Sequence, residues 1–156
     1  MKIGMLLVGA LMSLFAVDVL AQVPAPWLGT WRLNVAESKF DPGPPPKSQI
    51  VKNMAAAGGG YDNTGDTVAA DGKKTHSEYF AKPDGKDYPM KSGTADAIWV
   101  KKIDDHNNEW TTKKGGKVAA SGKTSYSKDG KMRTLTWTEI DDKGKKFENT
   151  AIYARQ

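Results

Sequence analysis

Apolar and polar residues alternate in short runs along most of the chain, and turn-forming pairs cut the runs at steady intervals. Asp71-Gly72, Asp84-Gly85, Ser92-Gly93, Gly115-Gly116, Asp129-Gly130 and Lys143-Gly144 supply the breaks, with residues 104–108 as a further polar turn. Gly, Asn and Asp tolerate the positive φ that tight hairpins demand. Strands are therefore predicted at 28–34, 48–54, 61–68, 74–81, 87–90, 96–103, 109–113, 117–126, 132–139 and 146–154. No run long enough for a packed helix keeps a helical period.

The alternation also says what kind of interior these strands enclose. Within 132–140, Arg133, Leu135, Trp137 and Glu139 share one face, while Met132, Thr134, Thr136, Thr138 and Ile140 share the other. Within 74–81, Thr75, Ser77, Tyr79 and Ala81 oppose Lys74, His76, Glu78 and Phe80. Segment 97–103 has apolar residues on both faces. A sandwich core shows a clean aliphatic face per strand, whereas here the inner face mixes aromatics with Thr, Ser and charge. The pattern favours an all-β, antiparallel up-and-down β-barrel of about eight to ten short strands with a partly open interior. A small sandwich with a thin core is the alternative. Segment 35–47, VAESKFDPGPPPK, breaks the rhythm. Its first half is compatible with one helical turn, and its prolines remove backbone donors, so it reads as one long connection after the first strand. AAAGGG at 55–60 reads as a flexible hairpin tip.

The first residues stand apart. Lys2 supplies a positive charge, residues 3–16 are almost entirely apolar or small, and Val19-Leu20-Ala21 has small residues where a signal peptidase cuts. Residues 1–21 are read as a cleaved signal peptide and residues 22–156 as one barrel domain, periplasmic or secreted. The apolar run is shorter than a membrane-spanning helix needs. The chain has no cysteine, which excludes disulfides, thiol chemistry and Cys-ligated metals. Its net charge is +5, with many lysines in turns. A basic rim of loops suits weak contact with an anionic membrane surface. Export, and the lack of a basic motif interleaved with aromatics, argue against a nucleic-acid partner.

One motif carries a resemblance. Gly29-Thr30-Trp31-Arg32-Leu33 resembles the Gly-x-Trp signature of the lipocalins and is similar to the opening of fatty-acid-binding proteins, both calycin barrels. The longer pattern also resembles a group of small exported bacterial proteins: residues 29–34, then Ser38-Lys39-Phe40, Pro42-Gly43-Pro44, DGKDYP at 84–89 and SKDGK at 127–131. The resemblance implies that Trp31 plugs the closed end of a barrel, with Gly29 as its tight neighbour. It implies a basic cover from Arg155, or alternatively Arg133, with Trp27 just outside the same end. Fatty-acid-binding proteins hold a lipid carboxylate with Arg-x-Tyr on the final strand. The matching triplet here is Ala151-Ile152-Tyr153, so the arginine is missing.

Candidate chemistry is sparse. His76 and Glu78 share a strand face and would make a base with its orienting carboxylate if that face turned inward. His106 with Asp104, Asp105 and Glu109 matches no calcium or zinc loop. The expectation is a plain turn, no metal and no cofactor. Nucleophile elbows, phosphate loops and dinucleotide fingerprints are absent from the sequence. Tyr79, Trp99, Trp110, Tyr126 and Trp137 sit mid-strand and, as a group, suit the walls of an apolar pocket, though each is also explained as core. The leading expectation is a barrel that binds a small apolar or amphipathic molecule. The other readings are an enzyme on the same barrel, using His76 with Glu78 or a cavity tyrosine, and an envelope module acting through its basic rim.

Overall fold

The computed structural model describes residues 22–141 and 143–156. The segment read as a signal peptide lies outside the described residues. A short 3-10 turn, Ala25–Trp27, leads into ten strands: β1 (Gly29–Lys39), β2 (Ser48–Ala56), β3 (Gly60–Val68), β4 (Lys74–Ala81), β5 (Asp84–Ser92), β6 (Ala97–Lys102), β7 (Asn107–Lys114), β8 (Lys117–Tyr126), β9 (Met132–Ile140) and β10 (Lys146–Arg155). Each pairs antiparallel with its sequence neighbour, and β10 closes on β1, giving a closed up-and-down barrel. Closure removes the exposed edges that an open meander would leave.

Two predicted boundaries move. Residues 35–39 continue β1 rather than forming a helical turn. The register against β10 shifts between Asn34 and Lys39. Side chains repair the shift: Ser38 Oγ donates to the Asn34 carbonyl (2.6 Å) and accepts from the Ile152 amide (2.9 Å). The pair Asp84-Gly85 is not the β4–β5 turn. It lies inside β5, at a register shift between Asp84 and Asp87. The β4–β5 seam is the weakest in the barrel, with register pairs only at Glu78–Ser92 and Tyr79–Met90 among the described residues.

Period-two alternation sets which residues point inward. Leu33, Val51, Tyr61, Ala81, Ile98, Val100, Tyr126, Ala151 and Tyr153 form the buried lining with Trp27 and Trp31. Asn53, Asn63, Asn108, Thr124, Arg133 and Asn149 are buried beside them. The interior is thus a mixture of rings and polar groups, not an aliphatic core.

One end of the barrel is plugged. Trp27 and Trp31 are both fully buried. Removing an indole from water stabilises by about 4–6 kcal/mol as an upper bound from its area. Trp27 is therefore inside the plug, not outside it. Its ring stacks on Tyr126 with centroids 5.9 Å apart, and its Nε1 donates to the Asp105 carbonyl (3.0 Å). Asn53 Nδ2 donates to the Trp27 carbonyl (2.8 Å), and Asn63 Nδ2 donates to Asn53 Oδ1 (2.6 Å). Two buried asparagines thereby hold the plug to the wall. Arg155 lies 4.3 Å from the Trp31 ring centroid and donates to the carbonyls of Pro26, Leu28 and Gly130. Gly29, at φ +124°, leaves the space that the Arg155 guanidinium fills. The other end, where β1 meets β2 and β9 meets β10, is the mouth.

Candidate functional site

Inside the barrel, above the plug, is a cavity of about 150 Å³. Tyr61, Tyr79, Trp110 and Tyr126 supply rings, and Ile98, Val100 and Leu135 supply aliphatic wall. Asn53, Asn108, Thr112, Thr124 and Arg133 supply polar groups. Each side chain arrives there because it occupies an inward position of its strand.

A wider chamber of about 640 Å³ opens at the mouth. Phe40, Pro44 and Pro46 of the long β1–β2 connection form one side, Ala69 and Ala70 another, with Trp137 and Tyr153 from β9 and β10. Trp110 and Leu135 line both spaces. Asn149 ties the connection down by accepting from the Asp41 amide (2.8 Å). Tyr153 donates to Gln49, whose Nε2 donates to Thr67 Oγ1 (2.8 Å). The proline run thus forms part of the vestibule wall, and the chamber floor is hydrogen-bonded in place.

The approach of Trp110 to Trp137 depends on a glycine. Gly122 pairs with Trp110 on one side and Trp137 on the other. A Cβ there would run into the Thr136 carbonyl and Trp137 Cβ. The bare position lets the two indoles approach to 6.4 Å between centroids. A third hollow, about 660 Å³ and open to solvent, lies along the outer face of β7–β10 and takes in Gly122.

Arg133 is the unusual member of the inner cavity. It is 7 % exposed. It faces Tyr153 across the β9–β10 ladder and Tyr126 across β8–β9. Its guanidinium carbon sits 5.2 Å from the Tyr153 ring centroid. Arg133 Nε and Nη1 have no hydrogen-bond partner among the described residues, and Trp110 Nε1 has none either. The phenols of Tyr61, Tyr79, Tyr126 and Tyr153 are held above their ordinary pKa by burial first of all. They remain neutral and do not offset the charge. No Asp or Glu lines this cavity among the described residues.

The structure sorts the residues singled out from the sequence. Tyr79, Trp110 and Tyr126 line the inner cavity, and Trp137 lines the mouth chamber. Trp99 does not join them. It occupies an outward position of β6, donates to the Gly85 carbonyl and borders the outer hollow. Both faces of 97–103 are apolar, so alternation there gave no sign of which side was inward. His76 and Glu78 also face outward. His76 Nδ1 contacts Asp66 Oδ1 (2.7 Å), and Glu78 pairs with Lys91 (2.6 Å). That hydrogen bond to Lys91 holds the Glu78 carboxyl below its ordinary pKa. His106 belongs to a turn in which its amide donates to Asp104 Oδ1 (2.7 Å). Among the described residues no group of three or more His, Asp or Glu side chains is placed to hold a metal. Tyr61, passed over in the sequence, and Arg133, weighed there only as an alternative cover for Trp31, both line the inner cavity. The signal for Arg133 was its place on the same strand face as Leu135 and Trp137. The lysines divide between the two ends. Lys47, Lys73, Lys74, Lys114, Lys117, Lys143, Lys145 and Lys146 surround the mouth, at or beside its turns.

No family model and no curated protein matches this sequence. Among solved structures, the chain is similar to zebrafish ileal bile acid-binding protein complexed with cholic acid. The match has a TM-score of 0.53 and 12 % identity, over 85 % of this chain and 100 % of that one. The siderocalin Ex-FABP aligns over 85 % of this chain and 71 % of that one, at TM-score 0.41 and 10 % identity. The likeness to the bile acid-binding protein lies in the fold, a closed antiparallel up-and-down barrel.

Proposed function

We propose that this protein binds a small apolar or amphipathic molecule, admitted through the mouth and held in the two chambers. The observation that carries the reading is that the two spaces adjoin. A ring-lined cavity and a wider aromatic vestibule share Trp110 and Leu135 as lining, and the far end is sealed. A barrel that only needed to be stable would fill this space, since close packing is worth several kcal/mol over a void of that size. The zebrafish barrel of the same fold was solved with cholic acid, which supports an amphipathic ligand class.

Enzyme chemistry at His76 and Glu78 finds no support, because both face away from the cavity and are engaged by Asp66 and Lys91. The proposal includes export, resting on residues 1–21, and weak, mouth-first contact with an anionic membrane, resting on the lysines around that end. Protein isolated from its native exported pool should begin at Gln22 and carry a small-molecule adduct in native mass spectrometry. It should also take up the neutral dye Nile red, with Trp137→Ala weakening uptake. An adduct-free protein that leaves Nile red emission unchanged would refute the binding reading.

A further inference from the structure

We propose that the mouth chamber selects an amphipathic organic cation, with the Glu139 carboxylate as its counter-charge and the rings of Trp137 and Phe40 against its ammonium group. The proposal rests on the binding reading above and names the ligand class for that chamber.

Among the described residues lining the chamber, Glu139 alone carries a charge. It holds an inward position of β9, opposite Phe147 on β10 and Ala120 on β8. Glu78 pairs with Lys91 and Glu109 with Lys123, but Glu139 takes part in no salt bridge among the described residues. Lys145, which precedes β10, lies over the Phe147 ring at 4.7 Å and not on Glu139. Glu139 is exposed, so its carboxylate is open to a guest.

The rings beside it suit the same kind of guest. Phe40 meets Trp137 edge to face, with centroids 6.0 Å apart. Both are only partly buried, which leaves ring surface free. Aromatic faces carry negative potential and attract cations, indole most strongly, and ring-lined boxes hold quaternary ammonium groups in this way. The Tyr153 ring is already faced by Arg133. Trp137 and Phe40 are left for the guest. At about 640 Å³ the chamber falls in the usual range of small-molecule sites.

Charge along β9 sets the orientation. Arg133 and Glu139 share its inward face, about 20 Å apart at the rise of a strand. Arg133 lines the inner cavity and repels a cation there, while Glu139 attracts one to the mouth. The ammonium therefore stays in the mouth chamber, and the apolar part lies against Trp110 and Leu135. The lysines around this end are exposed, and none lines the chamber. Salt screens such solvent-facing charges, whereas Glu139 and the rings touch the guest.

Three probes of equal chain length test this. Decyltrimethylammonium, decanol and decanoate are titrated below their micellar concentrations, at neutral pH and physiological salt, against bound Nile red. Wild type, Glu139→Gln and Glu139→Lys are compared, with near-ultraviolet circular dichroism reporting the fold of each. An exposed ion pair joined to a cation–π contact predicts that wild type binds the ammonium about tenfold more tightly than the alcohol. Decanoate should bind more weakly than the alcohol. Glu139→Gln should shrink the ammonium preference to about threefold, the share left to the rings. Glu139→Lys should remove or reverse it. Should either variant fail to fold, the wild-type ratios still decide. Equal Kd values for ammonium and alcohol in wild type, or tighter binding of decanoate than of the ammonium, would overturn the cation assignment and leave the binding reading standing. An undiminished preference in folded Glu139→Gln would overturn it as well. If no probe displaces the dye, the cation assignment falls. If Nile red itself does not bind, both proposals fall together.

Discussion

Alkaline pH should unfold this barrel cooperatively, and the size of the effect follows from where its tyrosines sit. All five tyrosines have raised pKa values. Burial is the first cause in each, and for Tyr88 burial and then the hydrogen bond to Asp84 push it up to about 12. The native chain keeps phenol protons that the unfolded chain releases above about pH 10. Stability from these groups is therefore full below that value and falls as pH rises past it. A phenol that stays fully protonated in the native chain costs at most about 1 kcal/mol by pH 11. Tyr61, Tyr126 and Tyr153, at 5 %, 5 % and 4 % exposure, are buried enough to count in full. Together they remove at most a few kcal/mol, from a total stability of about 5–15 kcal/mol for a domain. The half-buried Tyr79 and Tyr88 add a smaller share. Unfolding is expected between about pH 11 and pH 12. The assay follows phenolate absorbance and near-ultraviolet circular dichroism in one pH titration, where both should change in a single step. Three or more phenols titrating near their ordinary pKa, with the native dichroism intact, would refute the reasoning.

Other consequences are equally specific. Arg155→Met should lower the urea midpoint, at a cost of about 3 kcal/mol, because three carbonyls and the Trp31 face lose a charged partner. Gly122→Val should cost about 1–3 kcal/mol or more in thermal unfolding and weaken Nile red uptake. The new side chain collides with the Thr136 carbonyl and displaces Trp137 from the wall of the mouth chamber. Glu78→Gln should leave the urea midpoint and ligand binding at wild-type values, since its partner Lys91 is exposed and solvent screens the pair. Its depressed pKa puts any contribution above the ordinary carboxylate range, to be lost as pH falls through the native value.

Much of the fold was legible before any coordinates. Turn pairs marked most of the hairpin tips between the ten strands, because such tips favour residues that tolerate positive φ, and that requirement is local. Two boundaries went astray where the deciding contact is remote. Residues 35–39 stay extended because Ser38 Oγ takes the Ile152 amide from the far end of the chain. Asp84-Gly85 carries a turn signature, yet the pairing of Asp84 with Lys101 draws it into β5 as a bulge.

The candidate site divides along the same line. Alternation on β9 already put Arg133 beside Leu135 and Trp137, and alternation on β4 opposed Tyr79 to His76 and Glu78. The sequence by itself determined the succession of antiparallel strands, which residues share a face on β4 and β9, and the plug motif around Trp31. Periodicity and turn chemistry act over a few residues. Only the tertiary structure decided that Arg155, not Arg133, covers Trp31, that Trp99 faces outward, and that Arg133 is left without a counter-charge. Those outcomes depend on which residues meet across a closed sheet. Registers such as Tyr153 opposite Arg133 exist only once the last strand has joined the rest.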